Sequence, residues 1–249
     1  MLRLGLLLTC WSVSTLPALA APEPAQTTLD PHFIILPGIE GPSLCAKGII
    51  AGLRQTHPNS TYEVFDWTTG HAYRMLYHAR AWNRNYSMAG VLAEHIVTLQ
   101  NQEPFRPIIV IGHSGGGGVT IVALEQLPPG YRIHQAILLA PDLSPEHSLV
   151  NSLDHTLVGI DVFHSPLDFL VLGVGTIAVG TIDRARLPAA GMVGFYPPRG
   201  LDEGSQFLYA SKLHQHTYQP SMSLTGHFGG HFTCTLPEFV NRYVSPVLR

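Results

Sequence analysis

Charged residues are scarce in this sequence, and those present do not cluster by sign. They make up 12% of the 249 residues, and the net charge is −3 with histidines neutral. Without a basic stretch the chain lacks the means to attract nucleic acid or an anionic membrane surface, so both classes of partner are excluded. The 24 glycines and 20 prolines follow no fixed period, which excludes a repeat architecture and indicates many turns.

Apolar runs long enough to span a membrane are also lacking. The first 20 residues combine Arg3, an apolar stretch at 4–13 and the small-residue sequence Ala18-Leu19-Ala20, a pattern typical of a signal peptide cleaved near Ala20. The alternative, an uncleaved anchor, is disfavoured because the apolar stretch is too short to cross a bilayer. We therefore expect a secreted or periplasmic protein without stable membrane insertion, with a signal peptide at 1–20, a tether at 21–32 and one domain at 33–249.

Short apolar strands alternate with helical patterns through the predicted domain. The clearest strand is the β-branched run 108–111, and the other runs lie at 33–36, 62–65, 136–139, 160–163 and 221–224. Helical patterns occur at 43–53, 71–101 and 238–244. Continuously apolar strands separated by helices predict a single α/β domain, with a mostly parallel central sheet covered by helices on both faces.

The sequence Gly112-His113-Ser114-Gly115-Gly116 follows the best strand and precedes an apolar helical stretch. It matches the G-x-S-x-G pattern, in which a serine occupies a tight strand-to-helix turn and small residues surround it. The serine oxygen then projects beyond the end of the sheet, near a helix N-terminus that favours developing negative charge. This context predicts that Ser114 is a nucleophile.

A serine nucleophile needs a base and an acid that orients the base, and in this architecture they follow in the order serine, acid, histidine. Asp168 lies in a turn after the strand at 160–163 and is the preferred acid, with Asp142 as the competitor. His231 follows Gly229-Gly230 and is the preferred base, with His227 next. The backbone N–H groups of Gly115 and Ile39 are the expected donors to the oxyanion.

These motifs together resemble the α/β-hydrolases of the serine esterase or lipase-like kind. They are PGIEG at 37–41, GHSGG at 112–116, SPLD at 165–168 and GGH at 229–231, and they extend over the whole predicted domain. The resemblance implies an α/β-hydrolase fold and hydrolysis of a small-molecule ester or related acyl bond through an acyl-enzyme, with no cofactor. The chain has Pro37-Gly38 where lipases of the His-Gly-Gly-Gly type carry that motif.

Only Cys45 and Cys234 remain after signal cleavage. Two thiols in an exported protein suggest one disulfide, and two buried free thiols are the alternative. The resemblance favours the disulfide, because the first and last helices of this fold usually pack on one face of the sheet. A Cys45–Cys234 bond would then hold the His231 loop against the oxyanion side.

Three further interpretations stay open on the sequence alone. The apolar run 169–182 predicts a buried helix, with a mobile cover over a substrate pocket as the alternative. The histidines at 214, 216, 227 and 231 admit a metal-dependent hydrolase, although carboxylate ligands at suitable spacing are lacking and no metal is expected. A catalytically silent binding protein on the same fold is the third.

Overall fold

The computed structural model describes residues 29–249, so the predicted signal peptide and most of the tether lie outside the described residues. Six strands form one sheet, and every neighbouring pair is parallel. The strands are β1 (His32–Leu36), β2 (Thr61–Val64), β3 (Ile108–His113), β4 (Ile133–Leu139), β5 (Thr156–His164) and β6 (Leu213–Thr217). Their order in space is β2-β1-β3-β4-β5-β6, so the winding direction reverses between β1 and β3. In parallel sheets of this kind, ligands bind beyond the strand ends at that reversal.

Helices cover both faces of this sheet, which agrees with the predicted α/β architecture. The longer ones are α1 (Leu44–Leu53), α3 (Trp82–Gln102), α4 (Gly115–Glu125) and α8 (Glu203–Lys212). The short ones are α2 (Met75–Arg80), α5 (Val150–Asp154), α6 (Thr176–Val179), α7 (Ala190–Val193) and α9 (Pro237–Phe239). Helical turns continue α9 to Val247, and a π-helix at Phe169–Gly175 leads into α6.

The hydrophobic core consists of two layers, one on each face of the sheet. Side chains alternate across a strand, so Ile34 and Leu36 of β1 enter one layer, while Phe33 and Ile35 enter the other. The first layer holds α3 and α4, and the second holds α1 and the closing helical turns. Because β1, β3 and β4 are almost fully buried, most of each strand is a run of consecutive apolar residues rather than an alternating pattern.

One predicted strand and one predicted helix differ from the structure. Residues 221–224 form part of a 3₁₀ turn (Pro220–Thr225). The last strand is instead β6, which was not predicted because it contains no run of apolar residues. β6 lies at the edge of the sheet and reads LHQHT, because partly exposed positions do not demand apolar side chains. The helix predicted at 71–101 is interrupted at Ala81, whose backbone (φ −84°, ψ 58°) leaves the helical region between α2 and α3.

Within residues 29–249, no helix combines the length and apolar character needed to cross a membrane.

Candidate active site

Ser114 occupies the tight turn between β3 and α4. Its backbone has φ 53° and ψ −124°, a conformation that a residue with a side chain adopts only at an energetic cost. Backbone hydrogen bonds hold it in place: its N–H donates to Leu139 O at 3.0 Å, and its carbonyl accepts from Gly117 N at 2.9 Å and Asp142 N at 3.0 Å. The strained turn is therefore fixed by β4 and by the first turn of α4.

The glycines around Ser114 are required by close backbone contacts. A Cβ on Gly116 would lie 2.4 Å from Pro37 O and 2.6 Å from Leu36 O, and a Cβ on Gly112 would lie 2.6 Å from Gly116 O. Gly118 is also confined, with Asp142 O at 2.9 Å from its Cβ position. Packing of α4 against the ends of β1 and β4 thus accounts for glycines at the start of a helix, where they are poor formers.

His231 lies between Ser114 and Asp168 in a chain of hydrogen bonds. Its Nε2 is 2.8 Å from Ser114 Oγ, and its Nδ1 is 2.6 Å from Asp168 Oδ2. With the proton on Nδ1, the ring donates to Asp168 and accepts from the Ser114 hydroxyl. All three side chains are buried. The structure therefore brings together the three residues that the sequence nominated as nucleophile, acid and base.

Burial sets the protonation of the His231 ring. Desolvation lowers the pKa of His231, the hydrogen bond that its ring donates to Asp168 raises it, and the nearby His113 lowers it again, so that the pKa lies below its ordinary value of 6.5. A lowered pKa keeps Nε2 unprotonated at neutral pH and below. His231 is thus in the state that accepts a proton.

His113 is a buried neighbour of this chain that the sequence analysis did not single out. Its Nε2 donates to His231 O at 3.1 Å, its Nδ1 lies 3.8 Å from Glu40 Oε1, and the two histidine rings are 5.0 Å apart. Burial lowers the pKa of His113, but the neighbouring Cys234 and Glu40 side chains raise it by more, to well above the ordinary value. A histidine inside an otherwise apolar strand was the sequence signal for this position.

The two alternative triad members occupy other places. Asp142 is buried, but it makes no hydrogen bond to His231. His227 Nδ1 bonds to Thr233 Oγ1 at 2.8 Å, and its ring packs 4.5 Å from that of Phe239. Neither residue is within hydrogen-bond distance of Ser114 Oγ, which bonds to His231.

The environment of His227 makes acid stability a measurable property. Burial lowers the pKa of His227 from 6.5 to about 4, so the unfolded chain takes up a proton before the folded chain does. The contribution of neutral His227 to the free energy of unfolding is therefore fully present above pH 6.5 and is lost as the pH decreases toward about 4. We expect His227→Asn to reduce the difference in melting temperature between these two pH values, while His71→Asn at an exposed position leaves it unchanged. An equal difference in the His227 variant would contradict the assignment.

The loop after β1 faces the start of α4. The Ile39 side chain lies 3.0 Å from the position that a Gly115 Cβ would occupy, and Ile39 lines the same cavity as Ser114. Two residues that the sequence analysis missed hold this loop: Trp67 Nε1 donates to Pro37 O at 2.7 Å, and His78 Nδ1 donates to Ile39 O at 2.7 Å. The two nominated oxyanion residues, Ile39 and Gly115, are therefore adjacent.

A cavity that is open to solvent lies beside Ser114 and His231. Its walls come from α2, from the 169–180 segment and from Phe232, and they are mainly apolar. The buried helix predicted at 169–182 is wrong: Phe169, Leu170 and Ile177 are at least half exposed. Because Leu172 and Thr176 face inward and line the cavity, the segment covers the pocket, and its mobility stays a prediction.

The predicted Cys45–Cys234 disulfide is not formed, and both cysteines are free thiols. Cys234 Sγ donates to His231 O at 3.2 Å, and Cys45 lies in the first turn of α1, beside Glu40 and His113. The expected packing of the first and last helices is observed, because α1 and the closing helical turns lie on one face of the sheet: a Cβ on Gly52 would lie 2.6 Å from Pro237 O. Each thiol instead lies against a polar neighbour of the site.

Potential metal ligands converge at one place among residues 29–249. One ligand atom each of Glu40, Cys45 and His113 lies within 4.8 Å of the others. Of the two histidine pairs in the metal-hydrolase hypothesis, the first lies elsewhere, on β6, where His216 Nε2 bonds to the buried Asp161 at 2.7 Å and His214 Nδ1 lies 4.0 Å from it. Gln135 also donates to Asp161, so this group forms a polar network between strands.

Comparison with known proteins identifies a family to which this chain is similar. The family model described as "Alpha/beta hydrolase of unknown function (DUF900)" matches residues 49–187, more than half of the chain. No curated protein matches. Solved structures with a similar fold include an acetylxylan esterase, at 12% identity and a TM-score of 0.45, covering 88% of this chain and 94% of that one. An esterase domain from Rhodothermus marinus has 14% identity and a TM-score of 0.46, with 90% and 88% covered. A lipase-esterase related protein from Clostridium acetobutylicum has 9% identity and a TM-score of 0.46, and the match covers 88% of this chain and 95% of that one.

Proposed function

Because the chain belongs to this α/β-hydrolase family of unknown function, we propose that it is an exported serine hydrolase that cleaves a carboxylic ester or a related acyl bond. The observation that carries the proposal is the hydrogen-bonded chain from Ser114 through His231 to Asp168, next to an apolar cavity. Export rests on the signal-peptide pattern at 1–20.

The reaction begins when Ser114 Oγ attacks the carbonyl carbon of the substrate while its proton passes to His231 Nε2. Asp168 accepts the Nδ1 hydrogen bond and stabilises the imidazolium that forms. The negative charge on the former carbonyl oxygen is stabilised by the N–H groups of Ile39 and Gly115, and each such donor contributes a factor of about 10²–10³ to turnover.

The tetrahedral intermediate collapses when its bond to the leaving oxygen breaks, and His231 returns the proton to that oxygen as the alcohol departs. A water molecule then gives a proton to His231 and attacks the acyl carbon attached to Ser114. The second collapse releases the carboxylic acid and restores the serine hydroxyl. These steps need no cofactor, and the same groups also serve a thioester or an amide.

Covalent labelling tests the proposal directly. We expect a fluorophosphonate probe to label the folded protein at Ser114 and to leave Ser114→Ala unlabelled, because the probe reacts with an activated serine. His231→Gln is expected to label slowly, while His227→Gln labels at the wild-type rate. Peptide mapping by mass spectrometry identifies the modified residue.

Each alternative function predicts a different result. A folded wild-type protein that takes up no probe would support a silent binding protein on the same fold and would reject the proposal. Loss of hydrolysis after treatment with a chelator, with labelling intact, would instead favour metal-dependent chemistry.

A further inference from the structure

Asp142 is a buried carboxyl group in the wall of the cavity beside Ser114. It follows β4 after Pro141, and the residue contributes to the wall of the cavity that Ser114 and His231 also line. Its backbone N–H donates to Ser114 O at 3.0 Å, which fixes its position relative to the nucleophile. The residue is 6% exposed, so its polar atoms face the cavity or the protein interior and have little access to bulk water.

The Asp142 carboxyl group lacks the partners that a buried carboxylate normally has. Its Oδ1 makes no hydrogen bond, and within residues 29–249 no basic side chain forms an ion pair with it. Buried carboxylates are usually paired or hydrogen-bonded, because an unpaired charge away from water is costly. An unpartnered polar atom at the wall of a largely apolar pocket marks a position where a ligand would supply the missing partner.

The neighbouring charges also favour the protonated acid. Asp168 and Asp183 are the nearby carboxylates, of which Asp168 is bonded to His231, and Asp183 accepts from His147 Nδ1 at 3.3 Å and from Ser144 N at 3.0 Å. Burial first, and then the charges of Asp183 and Asp168, raise the pKa of Asp142 to about 7. At neutral pH and below, Asp142 therefore carries an O–H group that can donate a hydrogen bond.

We propose that Asp142 is a specificity-determining residue whose carboxyl group donates a hydrogen bond to an oxygen on the otherwise apolar part of the substrate. The substrate class is then an uncharged ester with one keto, ether or hydroxyl oxygen beyond the ester group. This proposal rests on the proposed hydrolase function, and it adds the substrate class to it. The mainly apolar walls from α2 and the 169–180 segment bind the remainder of the group.

The expected preference between two esters follows from whether the substrate leaves the Asp142 O–H without a hydrogen-bond acceptor. A purely apolar ester buries the Asp142 O–H against hydrocarbon, whereas the matched ester with a keto oxygen satisfies it. A buried unsatisfied donor typically lowers affinity by about 10- to 100-fold, so the ratio of kcat/KM for the two esters should lie in that range.

The test measures this ratio with p-nitrophenyl hexanoate and with the 4-oxo- and 5-oxohexanoate esters. At about pH 6 we expect the wild-type protein to prefer one oxo ester by about 10- to 100-fold, and at about pH 8 the preference should fall as Asp142 ionises. Titration of His231 cancels, because it affects both esters of a pair equally.

Two variants separate the hydrogen bond from folding effects. Asp142→Asn keeps an N–H donor that does not titrate, so its preference for the oxo ester should persist and lose its pH dependence. Asp142→Leu removes the donor, and the ratio of kcat/KM for the oxo ester to that for the hexanoate ester should fall to near one. Asp154→Asn is the control, because Asp154 is an exposed carboxyl group paired with Arg132, and its ratio should equal the wild-type value.

Several outcomes would overturn the proposal. Equal rates on all three esters at about pH 6, with hexanoate hydrolysed and Ser114 labelled, would reject the role of Asp142 and leave the hydrolase function standing. A preference for the cationic 6-aminohexanoate ester, lost in Asp142→Asn, would show that the ionised carboxylate binds an ammonium group instead. Failure of the proposed function itself is recognised separately, because neither labelling nor hydrolysis of any ester would then occur.

Discussion

Replacing Ser114 with alanine is expected to lower kcat toward a p-nitrophenyl ester by about 10⁵- to 10⁶-fold. The substitution removes the atom that would form the acyl-enzyme and leaves His231 with no proton to accept, while the oxyanion donors stay in place. The residual rate should therefore still exceed that of the uncatalysed reaction, by about 10³- to 10⁴-fold. Steady-state kinetics at saturating substrate measures the loss.

A structural loss must be separated from a chemical one in this experiment. Alanine at position 114 keeps the strained backbone conformation, so the melting temperature should change little. Ser152→Ala serves as the matched control, because Ser152 is a fully buried serine whose hydroxyl group makes only weak hydrogen bonds, at 3.4 and 3.5 Å, within residues 29–249. The control should retain activity, and an active Ser114 variant would rule out the proposed mechanism.

The second large effect concerns stability. Gly116→Ala should lower the free energy of unfolding by about 3 kcal/mol or more, because the new Cβ would lie 2.4 Å from Pro37 O and 2.6 Å from Leu36 O. Both oxygens belong to the backbone at the end of β1, so no rotamer change relieves the contact. Denaturant unfolding monitored by circular dichroism gives the value, and an unchanged midpoint would contradict it.

Gly90→Ala is the control for this substitution. Gly90 lies within α3, and its added Cβ would meet the end of the flexible Gln126 side chain, at 3.0 Å, whose amide makes one exposed hydrogen bond to Tyr86 O at 3.2 Å. Alanine is the better helix former by about 1 kcal/mol, so this variant should be neutral or slightly stabilised. The contrast between two helical glycines then isolates the effect of backbone contact.

Much of the fold could be predicted from the sequence, because central strands buried on both faces leave a clear apolar signal. The runs at 33–36, 108–111 and 136–139 all lie within observed strands. The edge strand β6 gave no such signal, since its side chains are half exposed. The break at Ala81 separates α2, which lines the cavity, from α3, and the apolar periodicity of 71–101 did not indicate it.

The candidate site was predictable in part for a related reason. A strand-to-helix turn imposes local sequence requirements, so Ser114 and its glycines stood out. Asp168 and His231 follow from chain order in the resembling family, and the structure places them within hydrogen-bond distance of each other, although their catalytic roles stay predictions. Asp142, His113 and the two free thiols depend on contacts between distant segments, and no local pattern indicated how these side chains would be arranged.

The hydrogen bond between His231 and Ser114 joins residues 117 positions apart, and this distance along the chain has a kinetic consequence. The C-terminal segment closes the structure in the same way: Gln135 donates to Val247 O at 2.8 Å, and its own oxygen accepts from Arg249 N. Parallel sheets held by such long-range contacts fold slowly, because large loops must close before the contacts form. Ser114 is synthesised 117 residues before His231, so a chain still being completed has the serine but not the histidine that would activate it.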